Sequence, residues 1–241
     1  LCTLSSNKRF MGTVHAEEPD FNGLSINGIV RDLATQLPFA RLADVDTTLR
    51  EHSEDGLPGY EYFYDNVHFN FDGNYLAAGT MMHAVLSLPH RLPCPGEAAA
   101  PLMSRDDCAL RLAWTDAAEF DLLGWQLQTF QEEHTRKRTR ERYEALRVRL
   151  GDTWREQMAQ DYLAALEYRP DDLYLRHACF KEFLDLGRYD EARVQREALT
   201  ARHPGARVTL RAKALLADRQ GDAESAVVAY RDCLAVYPDD P

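Results

Sequence analysis

The sequence predicts an α/β segment followed by an all-α region of helical repeats. Between Ser25 and Ala84, helix-like and strand-like apolar patterns alternate, which is the order typical of α/β folds. The segment 91–101 is rich in proline and alanine and marks a boundary, beyond which the pattern is helical throughout. In the last third of the chain, proline recurs at a fixed spacing. We therefore expect an α/β part in residues 1–88, a helical connector in residues 89–152 and repeats in residues 153–241.

The first part is predicted to contain helices separated by a strand and a loop. In the segment 26–37, the residues Ile29, Val30, Leu33 and Leu37 lie on one helical face. Pro38 ends that helix, and the apolar segment after it is predicted to be a strand. The remaining predicted elements are the strand Phe39–Val45, a helical turn Asp46–His52, a loop Ser53–Gly59 rich in Gly, Pro and Asp, and a helix Tyr75–Leu88.

The connector is predicted to contain a capped helix. Thr115 and Asp116 precede an apolar run, and Glu119 follows Asp116 by three residues, which is the spacing of an N-terminal cap. The helix that follows carries Phe120, Leu123 and Leu127 on one side.

The last third repeats itself with a period of 34 residues. The matched positions are Pro170, Pro204 and Pro238, Gly187 and Gly221, and Ala192 and Ala226. Each unit is predicted to be a helix, a glycine-containing turn, a second helix and a proline that ends it. A half unit before the first of these prolines, with Tyr162, Ala165 and Leu166 on one face, supplies a preceding helix.

This period resembles the tetratricopeptide repeat family, in which small residues at the second helix allow close packing. The match is partial, because Arg176 stands where the family usually has Trp and Phe180 stands at its small Gly/Ala position. Ala214 and Tyr230 fit the pattern better. The resemblance implies a concave groove between stacked helices that binds a protein or peptide partner.

Asp65 and His68, three residues apart, have the spacing of the orienting half of a nucleophilic triad. A carboxylate that accepts the imidazole Nδ1 proton fixes the tautomer, so that Nε2 can take a proton from a serine. The pair precedes a predicted turn at Gly73 and Asn74 and then an apolar helical run.

This block, Asp65-x-x-His68 followed by Phe-Asp-Gly-Asn-Tyr-Leu, resembles the last conserved block of the SGNH (GDSL-type) hydrolase family. The resemblance covers about residues 1–88 and implies part of a flavodoxin-like three-layer α/β fold. It also implies a Ser-His-Asp triad acting on esters, often acetyl groups on carbohydrates, with His68 as general base and Asp65 as its orienting carboxylate. Phe69 departs from the proline that often follows the histidine in this family. Large bacterial proteins that fuse such a domain to tetratricopeptide repeats fit the whole chain.

The nucleophile is missing from the pattern, since Gly-Asp-Ser does not occur anywhere in the chain. Ser25 lacks the preceding strand and the spacing of a nucleophile elbow and is interpreted as a helix start, and Asn7 is interpreted as a turn residue. The chain begins with the strand-like Leu1–Leu4, so we expect upstream sequence to carry the serine and these 241 residues alone to be inactive. The alternative is a non-enzymatic interaction protein, in which the repeats are the working part and the α/β segment is an inactive remnant.

Composition and scattered residue types argue against several other functions. With 28 Lys and Arg against 39 Asp and Glu, the net charge of −11 argues against general affinity for nucleic acid or anionic membranes. The sequence contains no run of 18 uncharged apolar residues, so no membrane span is predicted. The histidines form no i, i+4 ligand pair and the five cysteines no CxxC pair, so no metal or other cofactor is predicted. The basic segment 134–149 is interpreted as a solvated helix, with phosphate or an acidic partner as the alternative. The cellular compartment is not indicated.

Overall fold

The computed structural model describes residues 26–65, 67–88, 102–129 and 133–238. By its internal contacts the chain divides into two compact units, Leu1–Arg105 and Asp106–Pro241. The described α-helices are α1 (Ile26–Gln36), α2 (Val45–Glu51), α3 (Phe71–Leu86), α4 (Arg105–Arg111), α5 (Asp116–Thr129), α6 (Glu133–Leu150), α7 (Trp154–Tyr168), α8 (Leu173–Asp185), α9 (Tyr189–Arg202), α10 (Arg207–Arg219) and α11 (Ala223–Val236). Short 3₁₀ turns span Glu54–Gly56 and Gly151–Thr153.

The prediction of an α/β first part is wrong for the residues that the structure describes. Those residues contain no strand and no sheet, and their only extended pairing is an isolated antiparallel bridge between Phe63 and Phe69. A flavodoxin-like three-layer arrangement needs a parallel sheet between its helices, and the described residues do not supply one. The strand-like Leu1–Leu4 lies outside the described residues.

The predicted strand Phe39–Val45 is a loop that ends at the start of α2. Its backbone groups pair locally, through Ala40 N to Leu37 O at 3.0 Å and Val45 N to Ala43 O at 3.0 Å, and not with a neighbouring strand. Asp44 then caps α2 by accepting a hydrogen bond from Thr47 N. A short apolar run is compatible with a strand or a loop. Here the segment forms a loop because its main chain bonds locally and Asp44 caps the helix that follows.

The helix predicted over the segment 26–37 is confirmed as α1, and one ion-pair network ties it to α2. Arg31 donates from Nε to Asp44 Oδ2 at 2.6 Å and from Nη2 to Asp44 Oδ1 at 2.8 Å. The same Nη2 also contacts Asp46 Oδ2 at 2.9 Å. The two carboxylates raise the pKa of Arg31, and the guanidinium in turn lowers the pKa of Asp44 to about 2.

The helix predicted over Tyr75–Leu88 is present but begins earlier, because Asn70 caps it. Asn70 Oδ1 accepts a hydrogen bond from Gly73 N at 3.0 Å, so α3 starts at Phe71. Gly73 and Asn74 therefore lie in the first turn of a helix, and the turn predicted for them is wrong. A small core lies between α2, α3 and the loop that joins them, and it consists of buried Leu49 and Phe63 with Val45, Tyr60, Tyr62, Phe69 and Leu76 packed around them.

In the second unit, the helix predicted after Thr115 is confirmed as α5, which packs along α6. The ring of Phe120 stacks on Tyr143 with centroids 4.4 Å apart and meets the edge of Trp154 at 5.1 Å. The predicted cap differs, because Thr115 donates its hydroxyl to Asp161 Oδ2 at 2.7 Å on α7.

The predicted repeat of paired helices is present with its 34-residue period. Helices α8 and α9 form one antiparallel pair and α10 and α11 the next, and α10 packs against both α8 and α9. The turns contain Gly187 at φ +72° and Gly221 at φ +79°, a region that glycine adopts without the steric cost of a Cβ. Equivalent core positions are buried in both pairs, as for Leu199 and Cys233.

The second helix of each unit ends in the same backbone conformation. The cap residues Arg169, His203 and Tyr237 lie 34 residues apart and have φ between −135° and −128°. In each case the cap N–H bonds to the carbonyl four residues earlier. The predicted half unit is therefore α7, which ends as α9 and α11 end.

Arg176, which departs from the repeat pattern, has a structural function. Its guanidinium donates to Gln195 Oε1 at 2.9 Å and to Pro170 O at 2.7 Å. It thus links the start of α8 to α9 and to the preceding turn. Phe180, the other departure, is fully buried in the core of this region.

Candidate functional site

The residues predicted to carry chemistry lie in a tight loop between the segment 60–62 and helix α3. Two main-chain bonds close the loop, from Tyr64 N to His68 O at 2.9 Å and from Asn70 N to Tyr62 O at 3.0 Å. The rings of Phe63 and Phe69 pack together beneath it, with centroids 4.8 Å apart. These two hydrogen bonds and the packed pair of aromatic rings hold the side chains of the loop in one arrangement.

Asp65 and His68 meet in the geometry that the sequence predicts. His68 Nδ1 lies 2.7 Å from Asp65 Oδ2. The other carboxylate oxygen, Oδ1, accepts hydrogen bonds from Val67 N at 2.8 Å and from His68 N at 2.7 Å. Because three donors converge on one carboxylate, the aspartate has a single orientation, and it presents one oxygen to the ring.

The electrostatics of the pair favour an ionised aspartate. Burial raises the pKa of Asp65, but the hydrogen bonds from Val67 and His68 outweigh it, and the net effect is a pKa below the ordinary value. An ionised carboxylate beside Nδ1 favours the tautomer that carries its proton on Nδ1. The side chain of His68 is 63 % exposed, whereas that of Asp65 is 13 % exposed, so the ring extends from an anchored carboxylate toward solvent.

Two residues hold this loop on the helix: Asn70, which the sequence analysis did not single out, and Gly73, which it placed in a turn. Asn70 donates from Nδ2 to Glu61 O at 2.9 Å and to Tyr60 O at 3.1 Å, in addition to capping α3. Gly73 lies so close to the main chain of Tyr62 that a Cβ built on it would stand 2.2 Å from the Tyr62 carbonyl oxygen. An Asn three residues before a Gly at a helix start is the available sequence signal, since Asn is a favoured cap.

Two described serines bond to the ends of the helices that precede them. Ser53 donates to Leu49 O at 2.7 Å and Ser87 to Ala84 O at 2.7 Å. Ser25 and Asn7, which were considered from the sequence, lie outside the described residues, as do Ser5 and Ser6. The described part of the chain therefore brings together the base and its orienting carboxylate, without a nucleophile assigned to them.

Other reactive groups do not form a second centre in the described ranges. In these ranges, no group of three or more His, Cys, Asp or Glu side chains could hold a metal ion. Burial raises the pKa of the Cys179 thiol to about 12, which makes it a packing residue and not a nucleophile. Among the same residues, no helix is both long and apolar enough to cross a bilayer.

The basic segment 134–149 forms most of α6. Arg142 makes a two-pronged ion pair with Glu119 at 3.0 and 2.7 Å, and Arg149 pairs with Asp116, so two of its cations bind α5. Thr135, Thr139 and Leu146 are buried. The predicted solvated helix is consistent with this arrangement, in which part of the positive charge is used for packing.

Comparison of the chain with protein-family models, with curated proteins and with solved structures found no match in any of the three.

Proposed function

We propose that this chain is part of an ester hydrolase in which His68 is the general base and Asp65 is its orienting carboxylate, joined to a helical-repeat region that binds a protein or peptide. The observation that carries the proposal is the 2.7 Å contact between His68 Nδ1 and Asp65 Oδ2, with the carboxylate fixed by two main-chain donors. The pair resembles the last block of SGNH hydrolases in sequence, and its geometry suits the same task without the α/β fold predicted for it.

The chemistry of such a pair is the transfer of one proton in each direction. His68 Nε2 would accept the proton of a serine hydroxyl as its oxygen bonds to the ester carbonyl carbon. Asp65, still ionised, would stabilise the imidazolium that forms. The imidazolium would then give the proton to the departing alkoxide as the ester C–O bond breaks, and water would release the acyl group in a second round of the same transfers.

The proposal needs a serine that is not assigned within this sequence. Because Gly-Asp-Ser does not occur in the 241 residues, the nucleophile would come from sequence outside them. The substrate class we propose is a small acyl ester, such as an O-acetyl group on a carbohydrate, on the strength of the sequence resemblance.

The test is hydrolysis of p-nitrophenyl acetate by the protein translated from the complete reading frame. The His68→Ala variant should lose a factor of roughly 10³ or more in kcat/KM. His52→Ala is the matched control, because His52 is exposed in the same unit and bonds through Nδ1 to Thr48 O. We expect its rate to equal that of the parent protein.

Equal rates for the parent protein and His68→Ala would exclude His68 as the base. The 241-residue chain alone is expected to be inactive, and serine-dependent turnover by it would contradict the assignment of the nucleophile to outside sequence.

The regular repeats support a second candidate function, a non-enzymatic interaction protein. Helices α8 and α10 occupy the same place in successive units, and Tyr174 on α8 is 77 % exposed. If the complete protein shows no hydrolysis that depends on His68, this function is the one to pursue. A partner cross-linked to the complete protein should then be lost in Tyr174→Ala and retained in Val148→Ala, a variant of a residue on α6 that is 86 % exposed.

A further inference from the structure

The side chain of Asn70 connects the segment that precedes the Asp65–His68 loop to the start of α3. Asn70 uses its carbonyl oxygen to cap the helix through Gly73 N at 3.0 Å. It uses its amide nitrogen to donate to Glu61 O at 2.9 Å and to Tyr60 O at 3.1 Å. The acceptor and donor of one amide therefore connect the incoming chain to the start of the helix.

The main chain of the same residues completes the junction. Asn70 N donates to Tyr62 O at 3.0 Å, and the absence of a Cβ at Gly73 lets that carbonyl approach the helix. Tyr62 in turn donates its hydroxyl to His52 O at 2.8 Å, which anchors the incoming segment to the end of α2. Both ends of the seven-residue span between Tyr62 and Asn70 are thus held, and Asp65 and His68 lie within it.

We infer that Asn70 is a positioning residue for His68, and that its amide nitrogen, beyond its helix cap, holds the loop in which Asp65 and His68 meet. The catalytic consequence of this inference rests on the proposed function. The physical reason is that the Asp65 to His68 contact spans only three residues of loop, so displacement of either loop end changes the position of Nδ1 relative to the carboxylate. A displacement of about 1 Å in a reacting group can cost about 10²-fold in rate.

Two substitutions separate the helix cap made by Asn70 from the hydrogen bonds that its amide nitrogen donates to Glu61 and Tyr60, which we call the clamp. In Asn70→Ser the hydroxyl oxygen can still cap α3, because serine is a favoured N-cap, but the donors to Glu61 and Tyr60 are lost. In Asn74→Ala, the matched control, an amide in the same helical turn is lost. That amide donates to Asn70 O at 3.0 Å and to Phe69 O at 3.4 Å, whereas the amide of Asn70 donates to Glu61 and Tyr60.

The first readout is the low-field proton resonance of His68 Nδ1 in the 241-residue chain, assigned by its loss in His68→Gln. We expect this resonance to disappear or broaden in Asn70→Ser and to persist in Asn74→Ala, while both variants keep the helical circular dichroism of the parent. A merely structural cap would leave the resonance in place in Asn70→Ser, and that result would overturn the inference.

A second pair of variants covers the case in which Asn70→Ser fails to fold. Gly73→Ala forces the Tyr62 carbonyl away from the helix, whereas Gly79→Ala adds a Cβ whose nearest contact is an ordinary 3.8 Å from the Leu102 side chain. Loss of the resonance in Gly73→Ala alone supports the clamp, and its retention in both variants contradicts it.

Kinetics of the complete protein separate this inference from the proposed function. Asn70→Ser should lower kcat by about 10²-fold with little change in KM, because the loop holds the base and not the substrate. If His68→Ala leaves hydrolysis unchanged, the proposed function fails, and the resonance of His68 still decides whether Asn70 positions the ring.

Discussion

His203 and Tyr237 occupy the same position in successive repeats and make the same contact with different chemistry. His203 Nε2 donates to Asp171 O at 3.0 Å, and the Tyr237 hydroxyl donates to Gly205 O at 2.8 Å. In both cases the acceptor lies 32 residues earlier in the chain. Each ring therefore ties the end of one helix pair to the turn that begins it.

Removal of the Tyr237 hydroxyl should loosen the last helix pair. We expect Tyr237→Phe to lower the free energy of unfolding by about 0.5–1 kcal/mol, the usual net value of one partly exposed hydrogen bond. Urea denaturation, monitored by circular dichroism, measures this change in the free energy of unfolding. Tyr230→Phe on the same helix is the control, since the hydroxyl of Tyr230 bonds to no described residue, and an equal loss in both variants would contradict the assignment.

The turn glycines should be sensitive to substitution for backbone reasons alone. Gly187 has φ +72°, and a Cβ built there meets nothing within 4 Å, so Gly187→Ala carries only the cost of the left-handed conformation. We expect a loss of about 1 kcal/mol in the free energy of unfolding. Gly205→Ala, where a Cβ also meets nothing within 4 Å and φ is not left-handed, should be neutral or slightly stabilising. Thermal denaturation of both variants tests this difference in stability, and equal melting temperatures would contradict the prediction.

The bond between Arg31 and Asp44 should make the first unit sensitive to acid. The pKa of Asp44 falls from 3.8 to about 2 in the folded chain, chiefly because Arg31 bonds to its carboxylate. A lowered pKa in the folded state means that this stabilisation is present above pH 4 and is lost as the pH falls toward 2. Because the pair is partly exposed, we expect about 1 kcal/mol after screening by solvent.

The measurement is the pH dependence of unfolding of Asp44→Asn, which keeps a capping side chain and removes the charge. Its stability should vary less than that of the parent between pH 4 and 2, and the difference should shrink in 1 M salt. Parallel pH profiles for the two proteins would show that the network contributes nothing.

The ion pair between Arg155 and Glu182 should depend strongly on which partner is removed. Burial raises the pKa of Glu182, and the guanidinium of Arg155, 3.0 Å away, opposes that effect. Arg155→Leu leaves a carboxylate with 8 % exposure without this cation, and we expect a loss of about 2–3 kcal/mol at pH 7. Protonation should relieve part of this loss as the pH falls toward 4.

The opposite substitution, Glu182→Leu, should be neutral or stabilising. Leu216 stands at the equivalent position of the next repeat and is buried there, so the site accepts an apolar side chain of this size. Arg155 also lies 3.8 Å from Asp185, which remains in the variant. Chemical denaturation of the two single variants tests the pair, and equal losses in both would contradict the asymmetry.

Periodic and short-range features were predictable from the sequence, and features set by contacts across the chain were not. The spacing of Gly187 and Gly221 predicts the helix pairs because each unit uses the same local chemistry. The meeting of Asp65 and His68 follows from their separation of three residues. The strand expected over Phe39–Val45 failed because a short apolar run takes its structure from its partners, and no partner strand is among the described residues.

The start of α3 also depends on a contact that local sequence composition could not predict. The sequence places Gly73 and Asn74 in a turn by composition, since both residues favour turns. In the structure, the approach of the Tyr62 carbonyl is what requires the glycine, and Asn70 is what begins the helix. That approach comes from a residue eleven positions earlier, so composition near Gly73 could not reveal it.

The shared conformation at Arg169, His203 and Tyr237 makes this region modular. Removal of residues 173–206 would join Asp172 to Arg207 and leave the cap at Arg169 followed by the same kind of helix start that it has now. Insertion of one more unit at the same joint would preserve the caps in the same way. The number of units can therefore change by whole steps of 34 residues while each joint keeps its backbone geometry, which makes the length of this region adjustable by recombination.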